Sequence, residues 1–314
     1  MLDVTARPLR AEDLPAADQV MRLAFGTFLG LPDPTTFGGD AACVRARWCA
    51  DPDAAFAAEV GGTLVGSNFA ARWGSVGFFG PLSVHPTLWD RGVGKRLVEP
   101  VMECFSRWKT VHAGLFTFAD SQKHVGLYQR FGFWPRFLTA IVSKTVGQVS
   151  PALEWTRFSE VPGDDRQAIL AACRQLTDEI YDGLDVSAEI EAVAAQKLGE
   201  TLLLWGDAAL AGFAVCHCGP GTEAGSGTCY VKFGAVRPGQ TPERDFNRLL
   251  TACEELAAVS GLAHLVAGVN AARHQAYRVM LERGFRAGSQ GVAMHRPNDP
   301  GYSRSGVYVI DDWR

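Results

Sequence analysis

Val84-His85-Pro86-Thr87-Leu88-Trp89-Asp90-Arg91-Gly92-Val93-Gly94-Lys95 is the stretch on which the reading of this chain turns. Upstream, Gly77 to Val84 has the β-prone composition of a strand. Downstream, Lys95 to Trp108 places Leu97, Val101, Met102 and Phe105 on one face of a helix. The order is strand, glycine loop, amphipathic helix. Glycines at 92 and 94 let the backbone come close to a ligand, and the start of the helix aims unpaired amides at it. With the helix dipole behind them, those amides suit an anion such as a pyrophosphate; Arg91, Lys95 and Arg96 add positive charge.

Two familiar phosphate-binding patterns fail on spacing. A dinucleotide fingerprint needs a third glycine three residues after Gly94, where Leu97 stands, and the Gly-Lys-Ser/Thr ending of a nucleotide P-loop is absent. Taken alone, the bend is equally compatible with a tight turn that packs a helix onto a sheet.

Around this segment the chain alternates. Residues 4 to 10 form a short strand, and a helix follows from Ala11 with Leu14, Val20, Met21 and Phe25 at helical spacing. Ala54 to Val60 and Thr63 to Arg72 make a hairpin about Gly61-Gly62. After the glycine loop come a strand from Val111 to Phe118, a helix from Ser121 to Phe131 and a strand from Arg136 to Lys144. Periodicity lapses between Val146 and Pro151, so two domains are expected, 1–147 and 148–314, of α/β (α+β) class. The second half restarts with a helix over Asp164 to Leu176 and a hairpin, Thr201–Trp205 with Ala209–Cys218, about Gly206-Asp207.

The halves are related. Val84-His85-Pro86 corresponds to Val236-Arg237-Pro238 at an offset of 152 positions, which also carries Leu97 to Leu249, Gly132 to Gly284 and Phe133 to Phe285. One ungapped offset over nearly fifty residues indicates an internal duplication. Gly219 to Thr228 is a glycine-rich insertion between two strands of the second copy.

Of 314 residues, 47% are hydrophobic and 20% charged, enough for sizeable cores and too little charge for a disordered chain. The net charge of −4 argues against nonspecific nucleic-acid binding. With no signal-like N-terminus and no long apolar run, a cytoplasmic protein without membrane contact is expected. Eight scattered cysteines are too sparse for a disulfide scaffold. Cys216 and Cys218 lie on one face of a strand with His217 on the other, so no metal site is expected.

Val84-x-Pro86 followed by residues 89–94 resembles motif A of the GNAT N-acetyltransferase superfamily, Gln/Arg-x-x-Gly-x-Gly/Ala, in which backbone amides hold the pyrophosphate of acetyl-CoA. The departure is Trp89 at the Gln/Arg position. Gly126-Leu127-Tyr128-Gln129-Arg130-Phe131-Gly132-Phe133 resembles motif B, a tyrosine-bearing helix running into a Gly-Phe turn. The resemblance implies two tandem GNAT-like domains, each a mixed, mostly antiparallel sheet flanked by helices. Acetyl-CoA is the implied cosubstrate, held by Leu82, Ser83, Val84, Trp89, Asp90, Arg91, Gly92, Val93, Gly94 and Lys95. Ser121, where the family usually has Asn, falls near the pantetheine.

The implied activity is acetyl transfer to a primary amine of a small molecule by direct attack on the thioester. The Val84 amide then faces the acyl oxygen and Tyr128 protonates the departing thiolate. Glu59, His85, His112 and His124 are candidate bases by location, and none is singled out. The alternatives are a noncatalytic acyl-CoA-binding regulatory protein and a protein-lysine acetyltransferase. In the second copy the offset puts Arg244 at Gly92, Phe246 at Gly94 and Met280 at Tyr128, with Tyr277 one turn earlier, so this copy is expected not to catalyse. Tyr181 and the 219–228 loop are expected to wall the cleft, and Trp155 and Trp205 to do so or to fill core. A monomer or homodimer is expected.

Overall fold

The computed structural model describes residues 3–147, 155–207 and 209–314. The expected domain boundary falls at the edge of residues 148–154, outside the described residues. Among the described residues the strands form one 14-stranded mixed sheet, flanked by eight α-helices.

The first copy begins with β1 (Thr5–Pro8), α1 (Leu14–Phe28) and α2 (Cys43–Ala50), then the hairpin β2 (Ala55–Val60) and β3 (Thr63–Trp73). The strand expected over 77–84 is two strands, β4 (Val76–Phe79) and β5 (Ser83–Val84). Gly80-Pro81 breaks it, because proline has no amide to continue the ladder. Next come α3 (Val93–Arg107), β6 (His112–Thr117), α4 (Gln122–Gln129) and β7 (Trp134–Thr145). The second copy repeats the plan as β8 (Thr156–Arg157), α5 (Arg166–Ile180), α6 (Ser187–Gln196), β9 (Gly199–Trp205), β10 (Leu210–Cys218), β11 (Thr228–Val236), α7 (Pro242–Val259), β12 (His264–Asn270), α8 (His274–Glu282) and β13 (Arg286–Arg296). A last short strand, β14 (Val309–Ile310), follows. From β4 onward the equivalent elements keep the 152-residue offset; the nine residues 219–227 between β10 and β11 explain why the hairpins before them do not.

Each copy's sheet is mixed and mostly antiparallel. The copies also exchange their last strands. The order β1-β2-β3-β4-β6-β13-β7-β12-β11-β10-β9-β8 places β13 of the second copy against β6 of the first, and β7 of the first against β12 of the second. The two exchanged strands pair antiparallel with each other at the centre. Each copy thus covers the sheet edge that the other would otherwise leave open.

Helices cover both faces of each copy. In the first, α3 and α4 pack Val93, Leu97, Val101, Phe105 and Tyr128 onto the sheet, and α1 and α2 pack Ala17, Met21 and Val44 on the other face. In the second, α7 buries Phe246, Leu249, Leu250 and Cys253, while α5 and α6 bury Leu170, Leu176, Ile190 and Val193. Cys216 faces the α7 core. His217 points the other way, toward Glu189 at 3.9 Å. No helix among the described residues is long and apolar enough to cross a membrane.

Candidate active site

Parallel strands β4 and β6 pair only over Val76–Phe78 and His112–Gly114, then diverge. A cleft of about 890 Å³ opens in the gap, with Phe79, Gly80, Pro81, Leu82 and Val84 on one side and Phe116, Thr117 and Phe118 on the other. On the far side of the gap β5 turns to β3: Val84 lies opposite Gly66, and the His85 amide donates to the Val65 carbonyl at 2.8 Å. In an antiparallel ladder, bonded and non-bonded positions alternate, so the Val84 amide, between the paired Ser83 and His85, faces away from β3, toward the gap.

The glycine bend closes one end. Gly92 caps α3 in the left-handed region at φ 84°, where an L side chain is strained. Gly94 has a different reason: a Cβ there would lie 3.3 Å from Leu127, so its absence lets α3 and α4 approach. Gly92, Val93, Gly94 and Lys95 all line the cleft, and α3 has no side-chain cap on its first amides. Trp89 takes a structural part, donating from its indole nitrogen to the Val84 carbonyl at 2.8 Å. Lys123 of α4 sits over the Trp89 ring at 4.6 Å and pairs with Asp90 at 3.3 Å, bringing a cation to the bend.

Tyr128 lines the middle of the cleft beneath α4. Its ring meets Phe79 edge-on at 5.6 Å, and its hydroxyl reaches Thr117. Burial pushes its phenol well above the ordinary range, outweighing the Thr117 hydrogen bond, so the proton is retained at neutral pH. His124 also lines the cleft, 5.0 Å from the Phe28 ring, and burial lowers its pKa.

The other end of the cleft is built partly by the second copy. The 219–228 loop docks on the first copy: Ala42 N bonds Thr222 O at 2.9 Å, and Gly221 N bonds Asp40 O at 3.1 Å. This brings Glu223 and Ala224 into the cleft wall. Glu223 accepts from Arg47 of α2 at 3.0 and 3.1 Å and from Lys232 of β11 at 2.5 Å. Burial alone would raise its carboxyl; Arg47 and Lys232 overcome this and hold it ionised well below the usual range. Tyr230, Trp313 and Arg314 complete this end.

Leu82, Val84, Trp89, Asp90, Gly92, Val93, Gly94, Lys95 and Tyr128 therefore converge on one cleft. Three expected residues stand apart from its lining. The Ser83 hydroxyl faces away, 3.1 Å from that of Ser67. Arg91 is exposed on the bend. Ser121 caps α4, accepting from His124 N at 3.4 Å. Of the candidate bases, Glu59 is tied to Arg7 at the sheet edge, His85 bonds Thr87 at 2.8 Å, and His112 is buried against His295 at 3.1 Å; only His124 lines the cleft. Tyr181, Trp155 and Trp205 do not wall it: Tyr181 packs on His112 and Tyr302, Trp155 bonds Glu255 at 2.7 Å, and Trp205 is exposed. All three belong to the second copy, and none is among the residues that line the cleft. Lys123, Arg47, Glu223 and Arg314 gave no signal in the sequence, because their place depends on how α4, α2 and the second copy dock.

Residues 24–133, confined to the first copy and spanning both the bend and Tyr128, match the acetyltransferase (GNAT) family. Over these residues the first copy carries the GNAT family's sequence signature. Acetyl transfer is that family's general activity. A Pyrococcus horikoshii protein assigned to the acetyltransferases is similar at 13% identity, with 99% of this chain and 95% of that one covered and a TM-score of 0.70. A GCN5-related N-acetyltransferase of Sphaerobacter thermophilus is similar at 17% identity, covering 93% and 95%, with a TM-score of 0.61. A tandem GNAT protein from the clavulanic acid biosynthesis pathway matches at 13% identity over 93% and 98%, with a TM-score of 0.55. At these identities the likeness is one of fold. No curated protein matched in the sequence comparison.

Proposed function

We propose that this protein is an acetyl-CoA-dependent N-acetyltransferase that acetylates a primary amine of a small molecule in its first copy, while the second copy does not catalyse. The observation that carries this reading is the convergence of three groups on one cleft: the α3 amides at Gly92–Lys95, the outward amide of Val84, and the protonated Tyr128. The residues fit the cosubstrate. A bend without side chains at 92 and 94, backed by Lys95 and Lys123, suits a diphosphate.

Acetyl-CoA would supply an activated thioester. The chain's own part is to bind and orient it, to aim the Val84 amide at the acyl oxygen, and to hold a proton at Tyr128 Oη for the leaving thiolate. Arg47, Lys95, Lys123, Arg130 and Arg314 line the cleft against the carboxylates Asp90 and Glu223. That balance suits an anionic cosubstrate and disfavours a lysine-bearing peptide acceptor. The second copy lacks the bend: α7 begins with Pro242, Glu243 and Asp245, so negative charge stands where Arg91 and Val93 stand in the first.

Incubation with acetyl-CoA and a panel of small amines is expected to release free thiol. Tyr128→Phe is expected to lower turnover roughly 10²–10⁴-fold, as for loss of a general acid, with coenzyme A affinity nearly intact. Coenzyme A binding without thiol release from any amine would instead favour a noncatalytic acyl-CoA-binding protein.

A further inference from the structure

In the second copy the gap equivalent to the cleft is filled by the chain itself. Parallel strands β11 and β12 pair over Thr228–Val231 and His264–Ala267, the register of β4 and β6 displaced by 152, and then diverge. Into that divergence comes β14, antiparallel to β11, with Ile310 opposite Gly234 and Val309 opposite Ala235. Val236 N adds a bond to Tyr308 O at 3.2 Å. On the β12 side, Gly268 leaves the room that Asp312 takes; a Cβ there would overlap it.

The seat is built from fully buried polar groups. Arg273, only 1% exposed, stands at the position equivalent to Ser121. It donates to the Val309 carbonyl at 2.7 Å and to Asp311 Oδ1 at 2.6 Å. The Tyr302 hydroxyl donates to Asp311 Oδ2 at 2.7 Å and accepts from Trp313 Nε1 at 3.0 Å. Beyond this anchor the segment crosses to the first copy. Trp313 fills the space that Gly114 of β6 leaves, Arg314 stacks on Tyr230 at 4.5 Å and bonds Asp312 at 3.0 Å, and Arg47 donates to the Arg314 carbonyl.

We infer that residues 307–312 are a resident peptide in the second copy's cofactor groove, and that Arg273 and Asp311, by seating it, position Trp313 and Arg314 as the acceptor-end wall of the first copy's cleft. Arg273, Asp311 and Tyr302 are positioning residues: they act through Trp313 and Arg314 and touch neither cosubstrate nor acceptor. The second copy thereby holds a wall of the acceptor pocket in place of binding a second cosubstrate. This rests on the proposed function only in taking the first cleft for the cosubstrate site.

The test uses the full chain with Arg273→Gln, and with Tyr302→Phe, which removes one hydroxyl and keeps the ring. Cys43, which lines the acceptor end, reports on the wall through its alkylation rate by iodoacetamide, resolved from exposed Cys49 by peptide mass spectrometry. Both variants are expected to speed hydrogen exchange at Val309 and Ile310 and to raise Cys43 labelling, tenfold or more for Arg273→Gln and several-fold for Tyr302→Phe. Exchange in α3, and coenzyme A affinity, are expected to stay within threefold of the parent. Unchanged Cys43 labelling in Tyr302→Phe despite faster exchange at 309–310 would overturn the positioning role, and unchanged exchange at 309–310 in both variants would overturn the seating. Failure of coenzyme A to bind the parent chain would remove the proposed function while leaving both readouts of the seating intact.

Discussion

Replacing Gly92 by alanine separates a bend that merely packs a helix from one that holds a diphosphate. Gly92 sits at φ 84° with nothing within 4 Å of the position its Cβ would take, so the added methyl meets no protein atom. The cost to folding is the left-handed backbone alone, about 1–2 kcal/mol for an L residue. It is offset by about 0.4–1 kcal/mol from the stiffer unfolded chain. A net loss near 1 kcal/mol lowers Tm by about 2–4 °C, the range for domains of 150–250 residues. Binding is expected to suffer more. Displacing one charge-assisted hydrogen bond to phosphate costs about 1.5–3 kcal/mol, and each 1.4 kcal/mol is tenfold in Kd. Titration calorimetry with coenzyme A is therefore expected to show Kd weakened at least tenfold beside that small loss of Tm. Gly239→Ala, in open space in the second copy at an ordinary φ, is expected to change neither. A Gly92→Ala protein with the expected loss of Tm but a Kd within threefold of the parent would refute the role of the bend.

Two further outcomes follow from buried charge. Glu223→Gln leaves the Arg47 and Lys232 cations buried without their carboxylate and is expected to cost about 3–5 kcal/mol in urea unfolding at pH 7. Glu99→Gln, on an exposed helix face, is expected to cost under about 1 kcal/mol; equal losses would contradict the ionised network. His295, buried against His112, is pushed down to about 3, chiefly by burial and then by its neighbour. The unfolded chain binds this proton near pH 6.5 and the folded protein does not, so its contribution is complete above 6.5 and is lost as pH falls toward 3. Between pH 7 and 5 this one group is expected to remove about 2 kcal/mol, and His295→Gln to flatten the pH dependence by that amount; parallel profiles would contradict it.

How much could be read in advance varied with the kind of information required. The elements from β4 to β13 follow the 152-residue offset because side-chain periodicity and turn glycines are local properties. The bend was legible for the same reason: Gly92 and Gly94 announce a backbone that a side chain would strain at the first point and crowd at the second. Strand exchange was not legible, since the pattern of β7 shows which faces it buries and nothing about whose edge it joins. The same holds for Glu223: a glycine-rich loop announces its turns but not the surface on which it docks. Trp89, a departure from the family motif, gains its meaning from Val84 and Lys123, which reach it through the fold. The place of residues 307–312 was not legible either, because it is set by Arg273, Tyr302 and Gly268, residues that meet them only through the fold.

A crystal structure of the full chain grown with coenzyme A bears most directly on the account. It is expected to place the diphosphate on the amides of Gly92 to Lys95 and the thiol end near Tyr128, one ligand per chain, with Val309 and Ile310 still paired to β11. A ligand lying between β11 and β12, or bound elsewhere with the 92–95 amides facing only water, would contradict it.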